Sequence, residues 1–325
     1  MSFRRLVCVV GMVALGPGCV LPAFAWDPTP EGYAQFRYEY KDSEDDGDFD
    51  TRRVRLSWRD TVNDRGTTAR IQFDVGDLFT GGGHEIDLKD AWVSHPFGNG
   101  WSTRVGYGDA EFGLDVPYSS SKRLPFERAK ATREFLPGEK TLGVLFTWEG
   151  QEESTVVVDL QVTDGMDAWS SDDDDAESLI ARVQVPLEDS IVGVSYMTSS
   201  REGDDYSVEP DLWGAHVRWE GETAGSNWAF QGEYFDGELF DGMMYDADGW
   251  YGLVEFSPQA SDATVFYRYD ELDASAQETA WSYERHTLGV AWDWMENNRL
   301  TFQVEDIDNA DSETNWGLQW QVKYK

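Results

Sequence analysis

The sequence predicts an all-β fold: a transmembrane antiparallel β-barrel of about 16 strands, with the third external loop folded into the lumen. Three observations predict it. Sixteen segments alternate apolar and polar residues with the period of two that sends successive side chains to opposite faces of a strand. The connections between them alternate in kind, long acidic Gly-rich segments with short turns, which matches barrels that carry longer loops on one side of a membrane and tight turns on the other. Finally, a mean hydropathy of −0.54 coexists with 14% aromatic residues, 15 of them Trp. That combination arises when only alternate residues face lipid and Trp and Tyr ring both interfaces.

The chain is read as a leader, residues 1–25, followed by one barrel domain, residues 26–325. Arg4 and Arg5 supply a positive start, Leu6 to Leu15 an apolar run, and Ala23-Phe24-Ala25 a small-residue cleavage site. Both cysteines, Cys8 and Cys19, fall in the leader. The remaining chain therefore has no disulfide, thiol nucleophile or thiolate metal site. It also has no apolar run near the ~18 residues of a spanning helix.

The strands follow in order. In Tyr33 to Tyr40, Ala34, Phe36, Tyr38 and Tyr40 share one face and Gln35, Arg37 and Glu39 the other. Phe49 to Arg59 sets Val54, Leu56 and Trp58 against Arg53, Arg55, Ser57 and Arg59. The third places Ala69, Ile71, Phe73 and Val75 opposite Arg70, Gln72 and Asp74. IDLKDAWVS and WSTRVGY form the next hairpin, with Arg104 on the polar side, and KTLGVLFTW the sixth strand. STVVVDLQV, LIARVQVPL and IVGVSYM continue the rhythm. LWGAHVRWE, WAFQGEYF, GWYGLVEF, ATVFYRYD, HTLGVAWDW and RLTFQVED follow, and NWGLQWQVKYK closes the chain. A soluble β-sandwich has no reason to sort its connections by parity. A closed barrel satisfies every backbone group in lipid without helices, and sixteen strands leave room for an aqueous channel.

The formal net charge of −36 argues against nucleic acid as a partner. The four histidines, His84, His95, His216 and His286, are scattered, and none sits in an HExxH or beside a Ser nucleophile. The chain is therefore not read as an enzyme, and no cofactor is expected. The acidic runs Asp42 to Asp50, Asp172 to Asp175 and Asp204-Asp205 lack the spacing of a defined Ca²⁺ loop. They read as solvated external faces, with no metal site.

Against this negative background one segment stands out. Between Pro117 and Arg133 lie five bases, Lys122, Arg123, Arg128, Lys130 and Arg133, and one acid, Glu127. Further bases fall at lumen-facing positions of neighbouring strands: Arg37, Arg53, Arg55, Arg59, Arg70 and Arg104. They form a candidate basic stripe on the wall beside the basic loop. Guanidinium forks and ammonium groups arranged this way make anion-selective pores. The competing reading is ordinary wall structure, with Arg53 and Arg55 paired to Asp74 or Glu39 and Arg128 neutralised by Glu127.

Leu88-Lys89-Asp90-Ala91-Trp92-Val93 and the run VGYGDAEFGLDVPYSSSKRLPFERAKATREFLPGEKTLGV, Val105 to Val144, resemble the phosphate-selective porins of the O and P type. Phe126-Glu127-Arg128 and Pro137-Gly138 carry the resemblance best. It implies a sixteen-stranded barrel in the outer membrane of a Gram-negative bacterium, usually a homotrimer, set in lipid and lipopolysaccharide. In such a barrel the third external loop folds inward, arginines attract anions and lysines at the constriction capture them. The loop bases above occupy the matching segment. This chain is shorter and far more acidic than that family's pattern, which leaves phosphate selectivity open. The expectation is an outer-membrane porin for passive diffusion of small anions, with phosphate and polyphosphate as candidate solutes. The alternatives are a general, cation-preferring porin and a non-conducting structural barrel.

Overall fold

The computed structural model describes residues 29–79, 86–137, 139–150, 156–165, 175–203, 206–240, 244–276, 279–309 and 312–324. The expected leader, Asp172 to Asp174 of the second acidic run, and the Asp204-Asp205 pair lie outside them. The strands are β1 (Thr29–Lys41), β2 (Asp46–Thr61), β3 (Thr68–Asp74), β4 (Asp87–Gly98), β5 (Trp101–Asp109) and β6 (Lys140–Glu149). They continue with β7 (Val157–Thr163), β8 (Asp175–Leu187), β9 (Ser190–Gly203), β10 (Tyr206–Val208), β11 (Asp211–Thr223) and β12 (Ser226–Phe240). The last five are β13 (Met244–Ser257), β14 (Ala263–Ala276), β15 (Thr279–Met295), β16 (Asn298–Asp308) and β17 (Ser312–Tyr324). One short helix, α1 (Lys130–Phe135), lies between β5 and β6.

Every strand pairs antiparallel with its neighbours, and β1 pairs with β17, Gly32 opposite Tyr324 through Tyr40 opposite Trp316. The sheet is thus a closed barrel with no free edge. The short β10 and the long β11 both pair with β9. They share one position in the wall, interrupted at Glu209-Pro210, where proline has no N–H to give the ladder. The barrel therefore has sixteen strand positions, as the alternation predicts.

The faces sort as the sequence pattern requires. Tyr33, Gln35 and Arg37 are buried inside, while Trp213, Val194, Leu288 and Leu318 are exposed on the outer wall. Aromatic pairs collect near the two ends of that outer face. Trp101–Trp148 and Trp228–Phe256 lie at the turn end, and Tyr196–Trp213 and Trp250–Tyr269 toward the loop end.

One expectation about the connections needs correcting. Part of the acidic sequence expected in loops is strand. The run from Asp42 to Asp50 is a tight turn, with β2 already begun at Asp46. Strands β12 to β17 reach 11–17 residues, and only short gaps separate β12 from β13, β14 from β15 and β16 from β17. A tilted strand crosses a bilayer in about 9–11 residues. The surplus extends the hydrogen-bonded ladder into water, where carboxylates cost nothing to display. Long connections remain at β3–β4, β5–β6 and β7–β8.

Candidate functional site

The β5–β6 connection, Ala110 to Glu139, is threaded across the lumen. Its groups meet inward-facing residues from almost every sector of the wall. Gly113 O and Glu111 meet Arg182 of β8, and the N–H groups of Leu114 and Asp115 donate to Glu233 of β12. Ser120 meets Tyr33 and Gln35 of β1, and Gln321 of β17 donates to Ser121 O. Phe126 N–H donates to Gln303 of β16. Arg268 of β14 and Arg285 of β15 donate to the carbonyls of Glu127 and Arg128, while Lys130 N–H donates to Asp270.

The lumen is divided by this loop into two unlike halves. On the β8–β15 side, a cluster of apolar residues stands among the inward polar ones: Ile180, Met197, Leu212, Phe235, Phe266 and Leu272. Phe112 and Phe135 of the loop stack on Phe235 with centroids 6.1 and 5.8 Å apart. The wall is thinned to admit them. A Cβ on Gly214 would come 2.7 Å from the Phe112 ring, and one on Gly249 would come 2.8 Å from Ala131. On the β1–β4 side the wall is polar, and a cavity of ≈ 470 Å³, the candidate passage, remains between wall and loop.

The bases of the predicted stripe fall where the sequence placed them, on the inner wall, but most are paired. Arg37, Arg52 and Arg53 converge on Glu127 at 2.9, 2.8 and 3.1 Å. Arg55 pairs with Asp74 at 3.1 Å and Arg70 with Asp90 at 3.1 Å. Arg104 sits apart from the stripe, paired with Glu111 at 2.9 Å. Arg59 is exposed, makes no ion pair among the described residues, and lies over the Trp92 ring. Burial alone would raise the Glu127 carboxyl, but the charges of Arg53, Arg52 and Arg37 outweigh it and hold the group well below the usual range.

The five loop bases separate into three kinds. Arg128 is buried and structural: its Nε and Nη2 donate to Asp115 O and Val116 O at 2.8 and 2.7 Å, and its Nη1 pairs with Glu139. Arg123 is buried against Asp115 at 3.4 Å. Lys130 pairs with Glu134 at 2.7 Å beside the Tyr283 ring, and Arg133 is exposed on α1; neither lines the passage. Lys122 is exposed, free of ion pairs among the described residues, and does line it.

Sequence reasoning missed three groups. Lys323 of β17 lines the passage without an ion pair among the described residues. Lys140 bridges Asp90 and Asp109 at 3.0 and 2.6 Å. Arg52 reaches Glu127 because a register shift opposite Phe36 makes β2 bulge, turning Arg52 and Arg53 both inward. The last strand's alternation, with Gln319 and Gln321 inside, does put Lys323 on the inner face, so that signal was present in the sequence. The bulge had none.

Among the described residues, the passage is lined by Arg55, Arg59, Arg70, Lys122, Arg128, Lys140 and Lys323 and by four acids, Glu31, Asp90, Asp109 and Glu139. Acids concentrate elsewhere. A cleft of ≈ 720 Å³ at the loop end of β11–β15 carries Asp211, Asp236, Glu238, Asp246, Asp248 and Asp273 and no base. Among the described residues, no group of three His, Cys, Asp or Glu side chains is arranged to hold a metal.

A closed sixteen-position barrel whose third loop crosses and narrows the lumen defines a porin-type channel, not an enzyme. The chain belongs to the phosphate-selective porin O and P family, whose sequence pattern matches residues 31–200. Its place is the outer membrane of a Gram-negative bacterium. No curated protein matches the chain. Solved structures share the fold at low identity. OmpT, an outer membrane protein of Vibrio cholerae in its trimer form, superposes with a TM-score of 0.69 at 13% identity, covering 91% of this chain and 99% of its own. An anion-selective porin from Comamonas acidovorans gives 0.67 at 12%, covering 91% and 99%. The outer membrane channel DcaP of Acinetobacter baumannii gives 0.67 at 11%, covering 92% and 97%.

Proposed function

We propose that this porin passes small anions by passive diffusion, through the passage between the third loop and the β1–β4 wall. One observation carries the reading: in a chain of net charge −36, that passage is lined by seven bases and four acids. Charges on the outer rim are screened over about 8–10 Å at physiological salt, so the lining outweighs the net charge at the narrow point. Three of the bases, Arg59, Lys122 and Lys323, have no carboxylate partner among the described residues and face the solute directly. Ser119, Ser121 and Tyr118 line the same stretch and supply hydroxyls. Phosphate and polyphosphate are the candidate solutes, since ammonium groups and guanidinium forks with hydroxyl donors suit oxyanions. The trimer form of the Vibrio cholerae protein supports a homotrimer set in outer-membrane lipid and lipopolysaccharide. Residues 1–25 serve as the leader, with the mature chain beginning at Trp26.

Single-channel recording in a planar bilayer across a KCl gradient tests the reading. The reversal potential is expected to show chloride preference. Block by millimolar phosphate would add the oxyanion site. A cation-preferring reversal potential would overturn the proposal and leave a general porin. Absence of conductance would leave a structural barrel.

A further inference from the structure

A second feature lies on the far side of the loop, away from the passage. Arg123 of the loop and Arg268 of β14 are both buried, and both line a small cavity of ≈ 10 Å³ between the loop and the β12–β14 wall. A guanidinium carries five N–H donors, and here they are incompletely used. Arg268 donates through Nε to Asp270 and through Nη1 to Glu127 O, but its Nη2 has no acceptor. Arg123 donates through Nη2 to Tyr118 O, while its Nε and Nη1 have none. Buried charged donors left without acceptors are rare and costly.

Two carboxylates, Asp115 and Glu255, also line the cavity. Tyr251 accepts from Gln231 and donates to Glu233. Asp115 accepts from Ala129 N–H and stands 3.4 Å from Arg123 without a hydrogen bond, and the basic group nearest Glu255 is Arg218 at 4.0 Å. Burial and the charge of Arg128 hold the pKa of Arg123 below its usual value, against the opposing charges of Asp115, Glu139 and Glu127. What three guanidinium nitrogens, Nε and Nη1 of Arg123 and Nη2 of Arg268, lack among the described residues is a small acceptor within hydrogen-bond reach.

We propose that the cavity between Arg123 and Arg268 holds one monatomic anion of the chloride class, which rivets the third loop to the β12–β14 wall. A cavity of this size holds one water-sized particle and excludes phosphate and other polyatomic oxyanions. The site lies apart from the passage, so it stands or falls independently of the permeating solute.

The experiment uses the full-length protein in detergent. Crystals grown with bromide in place of chloride should show an anomalous peak between the two guanidinium groups. In solution, thermal unfolding in sodium chloride should exceed that in sodium gluconate at equal ionic strength by about 2–4 °C. Arg268→Gln should abolish the difference. A failure of Arg268→Gln to fold leaves the two wild-type readouts to decide. Ordered water in place of bromide, or equal midpoints in the two salts, would overturn the proposal. A bromide peak without any chloride-dependent midpoint marks an adventitious ion only and overturns it equally.

Discussion

Arg52 Nε donates to Glu127 Oε1 at 2.8 Å, from a strand position that strict alternation would turn toward lipid. The β2 bulge makes this contact and so sets the third loop against the β1–β2 wall. Glu127 then holds three arginines, two of them nearly fully buried. Glu127→Gln would leave Arg53 as a buried cation without a counter-charge among the described residues, and Arg37 with only Glu39, 3.6 Å away. Removing one partner of a buried pair costs about 3 kcal/mol. The variant is expected to unfold at lower denaturant by circular dichroism and to give larger, noisier single-channel currents as the loop loosens. Unchanged stability and current would mean that the loop is held by its apolar side alone.

The same carboxylate predicts a pH dependence. Its folded pKa is depressed by Arg53, Arg52 and Arg37 against the opposing effect of burial. A depressed carboxylate contributes stability that is fully present above its unfolded pKa, about 4.3, and is lost as pH falls through the folded value. The current should therefore be insensitive to this group from neutral pH down to about 5. Loop noise should appear only in stronger acid. Glu127→Gln should show that noise already at pH 7. Recordings of both proteins at pH 7 and pH 3 check the sign.

Selectivity should depend on the unpaired bases. Lys122→Glu and Lys323→Glu each reverse a charge that lines the passage without an ion pair among the described residues. At about 4 Å in water a unit charge contributes roughly 1 kcal/mol, so each change should shift the anion-to-cation permeability ratio about fivefold or more toward cations. Lys130→Glu is the control. Its ammonium is tied to Glu134 outside the passage, and its ratio should stay near wild type. Equal shifts for all three would mean that long-range potential, not the lining, sets selectivity.

The alternation of Val54, Leu56 and Trp58 with Arg53, Arg55 and Ser57 made the wall legible in sequence, because side-chain direction in a strand is a local, period-two property. The basic loop was legible as a loop that enters the lumen, through its charge and its family resemblance. Which of its bases are free was not. That depends on partners 74 or more residues away in the chain for Glu127, and on Glu139 and Asp115 folding back within the loop. The apolar half of the lumen was also missed. Phe235 and Leu272 lie on the inner face among polar residues, and only the loop packed against them explains why they are there.

That apolar half gives the last prediction. Phe235 is fully buried between Phe112 and Phe135, both contributed by the loop. Phe235→Ala deletes the ring on which both loop rings stack and opens a cavity inside the barrel. Large-to-small changes of this kind cost about 3–5 kcal/mol. The outer wall and its ladder keep their contacts, so the loss should fall on the loop. The variant should therefore keep its β-sheet circular dichroism while its third loop becomes susceptible to protease. Its conductance should rise, because the loop can leave the wall it now leans on. Anion preference should survive, since Arg59, Lys122 and Lys323 are untouched. Loss of preference together with a rise in conductance would show instead that the filter exists only while the apolar stack holds the loop at its present distance from β1–β4.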